Sequence, residues 1–158
     1  MAGDTSGRGM KFSPGFSETA PRADDFYDFC GTRGGIMMLN CLFVGLGGFI
    51  GSVCRYLIGL LPVREGTVFP WKTLAINVAG AFVIGLIAAL AARKDGMDPR
   101  MVLFWRVGIC GGFTTFSTFA FESGELLRQG NGALALAYIF SSVCFSILAV
   151  FAAQTLTR

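Results

Sequence analysis

Four stretches without a charged residue, 34–54, 73–92, 107–121 and 129–157, broken only by short charged segments, constrain this chain more than anything else in it. An apolar helix of ~20 residues spans the ~30 Å hydrocarbon core of a bilayer. The runs therefore predict an all-α membrane protein with four transmembrane helices near 38–61, 73–92, 102–121 and 133–153. The loops between them, 62–72, 93–101 and 122–132, are too short for a separate catalytic domain, so function must lie within the spans. Composition agrees: 53% of the residues are hydrophobic and 15% charged, and the mean hydropathy of +0.61 lies outside the soluble class. No histidine is present to act as ligand, base or pH switch, and with no nucleophile–base pair in sight an enzyme is the least supported class.

Residues 1–35 differ in kind, mixing charge, glycine and proline with scattered phenylalanine, and read as a disordered extension ahead of a four-span domain at 36–158. They hold no continuous apolar stretch with a small-residue cleavage site, so they are not a secretory signal. Met37 and Met38 immediately precede the first span, and one reading starts the natural chain there, with the extension an artefact of gene calling. Cys30, Cys41, Cys54, Cys110 and Cys144 form no CxxC pair and no zinc spacing, and read as small buried residues rather than a disulfide framework. Outside the extension, one side of the membrane carries Arg93, Lys94, Arg100, Arg106 and Arg158 and the other Arg64, Lys72 and Arg128, a weak five-to-three bias. Counting Arg8, Lys11, Arg22 and Arg33 raises the first side to nine and favours a cytoplasmic amino terminus.

Polar groups in a bilayer cost free energy unless paired or facing water, so each is a functional candidate. The expected spans contain hydroxyls, amides and arginine but no carboxylate. Proton-coupled transporters normally carry an intramembrane Asp or Glu, whereas this donor set suits a small anion exchanging its water shell for hydrogen bonds. Tyr138, Ser142 and Ser146 recur every four residues and line one helix face as a pore track, while Ser141 falls off it. The competing account is that such serines merely bond back to the preceding turn. Asn77 shares a face with Ala81 and Gly85, and two roles stand for it: helix glue or part of an ion path. The pairs Gly47/Gly51 and Gly48/Ser52 read as packing, and Arg55 either draws anions to a vestibule or snorkels to headgroups.

The third span, Gly108-Ile-Cys-Gly111-Gly-Phe-Thr-Thr-Phe-Ser-Thr-Phe119, is a poor continuous helix. A break near 111–114 fits, and its freed carbonyls would need a cation or a donor, because lipid supplies none. Phe116 and Phe119 would share a face after the break, beside Ser117 and Thr118. An aromatic ring has a positive edge that can hold an anion short of stronger donors.

Three segments, Gly48-Phe-Ile-Gly51-Ser-Val-Cys-Arg55-Tyr56, Thr73-Leu-Ala-Ile-Asn77-Val-Ala-Gly80 and Gly111-Gly-Phe-Thr-Thr-Phe-Ser-Thr-Phe119-Ala-Phe-Glu122, resemble the bacterial Fluc/CrcB fluoride-channel family in order and spacing. The resemblance covers 38 to about 153, and Thr-Thr-Phe-Ser-Thr-Phe is its most specific part. It implies an antiparallel, dual-topology homodimer in the inner membrane, with two fluoride pathways along the subunit interface and a structural Na+ at the dimer centre. By that resemblance the backbone carbonyls of Gly111 and Thr114 hold the sodium and Phe116 and Phe119 form an aromatic box. Asn77, Ser117 and Thr118 would be pore donors, Tyr138, Ser142 and Ser146 a polar track, and Arg55 a vestibule residue. The long extension has no counterpart in the family. The expected partners are fluoride, a second copy and the lipid bilayer, with no nucleic acid.

A passive mechanism is physically sufficient. Hydrogen fluoride crosses membranes neutral and ionises in a less acidic cytoplasm, where the anion is trapped. Moving one charge through 100 mV is worth ~2.3 kcal/mol, roughly a 50-fold concentration ratio, with no proton-binding residue. The alternative is a small four-helix proton-coupled exporter, a class that depends on a first-span carboxylate this chain lacks. A scaffold subunit without transport is a third possibility.

Overall fold

The computed structural model describes residues 34–62, 66–93 and 96–157, and these are helical almost throughout. The disorder expected of the extension falls on 1–33, outside the described residues, while Gly34 and Gly35 already form the first turn of a helix. The elements are α1 (Gly34–Leu60), α2 (Trp71–Ala91), α3 (Pro99–Val102), a π-helical segment (Leu103–Ile109), α4 (Cys110–Phe113), α5 (Phe116–Arg128) and α6 (Gly132–Leu156). Among the described residues, α1, α2 and α6 are each long and apolar enough to cross a membrane. The segment expected to make the remaining crossing is composite, running from Pro99 to Phe113 and on through α5 to Arg128. At 1.5 Å per residue its two parts add up to about 40 Å, enough for the hydrocarbon core.

Local chemistry sets the ends of this composite span. Asp98 caps α3 by accepting from the Arg100 N–H at 2.7 Å, with Pro99 at the first helical position, where its missing N–H costs nothing. At the other end the Asn131 N–H reaches the Leu126 carbonyl at 2.9 Å and the Gly130 N–H the Leu127 carbonyl at 3.1 Å. That pair of bonds forces Gly130 to φ +78°, a left-handed conformation that glycine adopts without a Cβ penalty. The reversal feeds directly into α6.

Close packing of backbones holds the bundle together. Gly47 and Gly51 of α1 are buried, and a Cβ on either would strike the carbonyl of Phe104 or of Ile109 in the π segment. The glycine pairs are therefore a seam along which two helices approach. Gly85 of α2 does the same against α6, where a Cβ would lie 2.8 Å from the Val150 carbonyl. Leu74, Leu126, Ala135 and Tyr138 form the buried core between α2, α5 and α6. Cys41, Cys54, Cys110 and Cys144 are free thiols.

Two expectations need correction. The third span does not stop at Phe121: α5 continues without interruption to Arg128, through most of the segment assigned to a loop. Glu122 thus sits inside a helix rather than in a loop. The break itself lies at Thr114 and Thr115, just beyond the glycines, with both residues extended (φ −78°, ψ 157° and φ −148°, ψ 113°). Gly111 and Gly112 remain helical in α4, and neither has a positive φ. Backbone freedom at glycine is not what breaks the helix.

Candidate ion pathway at the broken helix

The break is made by diverting two donors. In a continuous helix the Thr115 N–H would bond the Gly111 carbonyl and the Thr118 N–H the Thr114 carbonyl. Instead Thr115 N–H donates to Asn77 Oδ1 of α2 at 2.8 Å, while Asn77 Nδ2 donates to the Thr115 carbonyl at 3.2 Å. Thr118 N–H donates to Thr115 Oγ1 at 3.2 Å, which makes Thr115 the cap of α5. Asn77 is therefore a two-point clasp on the extended residue. Gly80, one turn further along α2, is buried against Thr114, whose methyl a Cβ would strike, so α2 can lie flat on the break.

The consequence falls on the carbonyls. Gly112 O accepts from Arg55 Nε at 3.1 Å and from Ser52 Oγ at 3.5 Å. No donor among the described residues meets the carbonyl oxygen of Gly111 or of Thr114. Two orphan carbonyls in a membrane-spanning segment require a cation or a partner. Backbone carbonyls are hard oxygen donors, of the kind that suits a hard cation.

A groove of about 450 Å³ runs along this face, with walls from α2, the π segment, α4, α5 and α6. It brings together Asn77, Gly111, Thr114, Phe116, Phe119, Ser142 and Ser146 from the expected site. The Phe116 and Phe119 ring centroids are 5.6 Å apart. Phe116 is 78% exposed, whereas Phe119 rests against Tyr138 at 5.3 Å. Ser142 is 6% exposed, and its hydroxyl has no partner. No carboxylate is among the residues lining the groove.

Four expected residues lie off that lining. Thr118 and Ser117 turn their hydroxyls to Thr115 Oγ1, at 3.0 and 3.3 Å. Arg55 is turned inward onto Gly112. Tyr138 is fully buried, and its hydroxyl donates to Glu122 Oε2 at 2.7 Å. Thr73 Oγ1, also buried, donates to the other carboxylate oxygen of Glu122 at 2.8 Å. Sequence reasoning missed Glu122, Thr73 and the capping role of Thr115. A signal was available for the first: Glu122 closes 111–122, one of the segments that carry the family resemblance. Ser141 bonds back to the Tyr138 carbonyl at 3.1 Å, as a serine off the stripe should.

Fold and groove together define a class: a small helical membrane protein whose polar groups gather where one spanning helix is interrupted. The family model described as "CrcB-like protein, Camphor Resistance (CrcB)" matches residues 42–154, and the chain belongs to that family. Relatives carry the name "Fluoride-specific ion channel FluC". The protein of Rhizobium meliloti (strain 1021) is 48% identical over 122 residues, covering 77% of this chain and 98% of its own length. That of Agrobacterium fabrum (strain C58) is 46% identical with the same coverage. The Chlorobaculum tepidum (strain TLS) protein is 42% identical over 123 residues, 78% of this chain and 98% of its own length.

Proposed function

We propose that this chain is a passive fluoride-selective channel of the inner membrane that lets cytoplasmic fluoride leave down its electrochemical gradient and so protects the cell from fluoride. The observation that carries this reading is the groove at the broken helix: hydroxyls, an amide and two phenylalanines line it, with no carboxylate among the lining residues. Relatives named as fluoride-specific channels over nearly their whole length support the choice of anion.

A second copy of the chain, inserted the opposite way, covers the groove. The open groove and the 78% exposure of Phe116 at spanning depth support this, because an ion path lined by lipid on one side would not hold an anion. The Gly111 and Thr114 carbonyls, which meet no donor among the described residues, would hold a structural Na+, which would supply positive charge at the break. The anion passes the Phe116 and Phe119 edges and the Ser142 and Ser146 hydroxyls, each replacing part of its hydration shell.

The proton-coupled exporter is disfavoured on two counts. α1 carries no acidic residue, and Glu122 is engaged on both oxygens by Tyr138 and Thr73 rather than facing the groove. Nor is this an enzyme: the family it belongs to includes relatives named as fluoride-specific ion channels. Fluoride-electrode recording on liposomes with purified protein tests the reading: trapped fluoride is released far faster than from protein-free vesicles, and release at the protein-free rate refutes it.

A further inference from the structure

On the channel reading of the same groove, we infer that Arg106 is an anion-holding station on the wall formed by the π segment, where fluoride is gathered before it reaches the serine track. Arg106 lies within Leu103–Ile109 and lines the groove together with Ser142 and Ser146. It is seven residues into the composite span, about 10 Å from the start at Pro99 by helical rise. Arg106 is exposed, and an arginine within a span either faces a water-filled path or reaches to the headgroups; its place in the groove lining favours the path. Among the described residues Arg106 makes no hydrogen bond, ion pair or ring contact; the one ion pair is Arg128 with Glu125.

A second, independent observation points to the same kind of ligand. The Ser142 hydroxyl lines this groove at 6% exposure with nothing bonded to it. A guanidinium has donors only, and a hydroxyl can donate once. Both are satisfied by a species that accepts from each, and a cation near Arg106 would be repelled. The fitting ligand is a small, hard anion.

The test compares fluoride current against fluoride concentration for wild-type protein, Arg106→Gln and Arg106→Lys in planar bilayers, with Arg106→Met as a second neutral variant in case glutamine lowers the yield of folded protein. A charged station raises local anion concentration. Neutral variants should therefore carry about 10-fold less current at low fluoride and converge on wild type at saturation, with the lysine variant lying close to wild type throughout. A neutral variant with the wild-type concentration dependence overturns the inference and leaves the channel reading intact; that is the result for an arginine serving lipid phosphates. A current lowered by one factor at every concentration also overturns it, because that reports fewer folded channels. Wild-type protein that carries no fluoride at all removes the channel reading and this station with it.

Discussion

Phe119 shows how one side chain can pack and line the groove at once, because it rests on the buried Tyr138. Tyr138 is fully buried, its ring lies between Phe69 and Phe119 with centroids 5.5 and 5.3 Å away, and its hydroxyl holds Glu122. A hydrogen bond to a charged group contributes ~1.5–3 kcal/mol, and a half-buried carboxylate that loses one is left partly unsatisfied. Tyr138→Phe should therefore lower thermal stability in detergent by about that amount; an unchanged unfolding midpoint would mean that Glu122 finds water instead. The two phenylalanines separate differently. Phe116→Ile and Phe119→Ile should each reduce fluoride efflux at least ~10-fold, the scale of losing ~1.4 kcal/mol of anion stabilisation. Only Phe119→Ile should also destabilise the fold, since Phe116 is largely exposed and Phe119 is packed on Tyr138. Near-normal flux in both variants removes the rings from the mechanism.

The broken span depends on α2 as much as on its own sequence. Asn77 intercepts the Thr115 N–H that would otherwise close onto the Gly111 carbonyl. Asn77→Leu removes both clasp bonds, at ~0.5–1.5 kcal/mol each. The expected outcome is a flux at least ~10-fold lower, because the Thr115 donor becomes free to return to the helix. Wild-type flux in that variant would show that Thr115 and the glycines hold the break unaided. These bonds also explain what could be read in the sequence and what could not. The spans at α1, α2 and α6 were legible because a charge-free run needs no knowledge of partners. The end of the third span was not, because Glu122 looks like a boundary. Its cost is met by Tyr138, sixteen positions on, and Thr73, forty-nine positions back. The break was legible as a region from its glycines and threonines, but its placement at Thr114–Thr115 depends on Asn77, thirty-eight positions away. Likewise the Tyr/Ser/Ser stripe was visible from spacing alone, yet only packing shows that Tyr138 faces Glu122 while Ser142 and Ser146 face the groove.

At the scale of the whole molecule, the polar groups of the break gather along one open face. The groove is open, the Gly111 and Thr114 carbonyls meet no donor among the described residues, and Arg106 lines the groove while Arg55 is bonded to Gly112. If the carbonyls of two copies share a sodium ion, exchanging sodium for N-methylglucamine should lower the thermal stability of the purified dimer and of its fluoride flux together. Stability indifferent to the cation would place no ion at the break. The central claim is that fluoride crosses this groove under electrical force alone. The direct measurement loads liposomes bearing the purified protein with potassium fluoride and adds valinomycin, with pH equal on both sides. The account predicts prompt fluoride release on imposing the potential. Release that stays at the protein-free level until a proton gradient is added would contradict it.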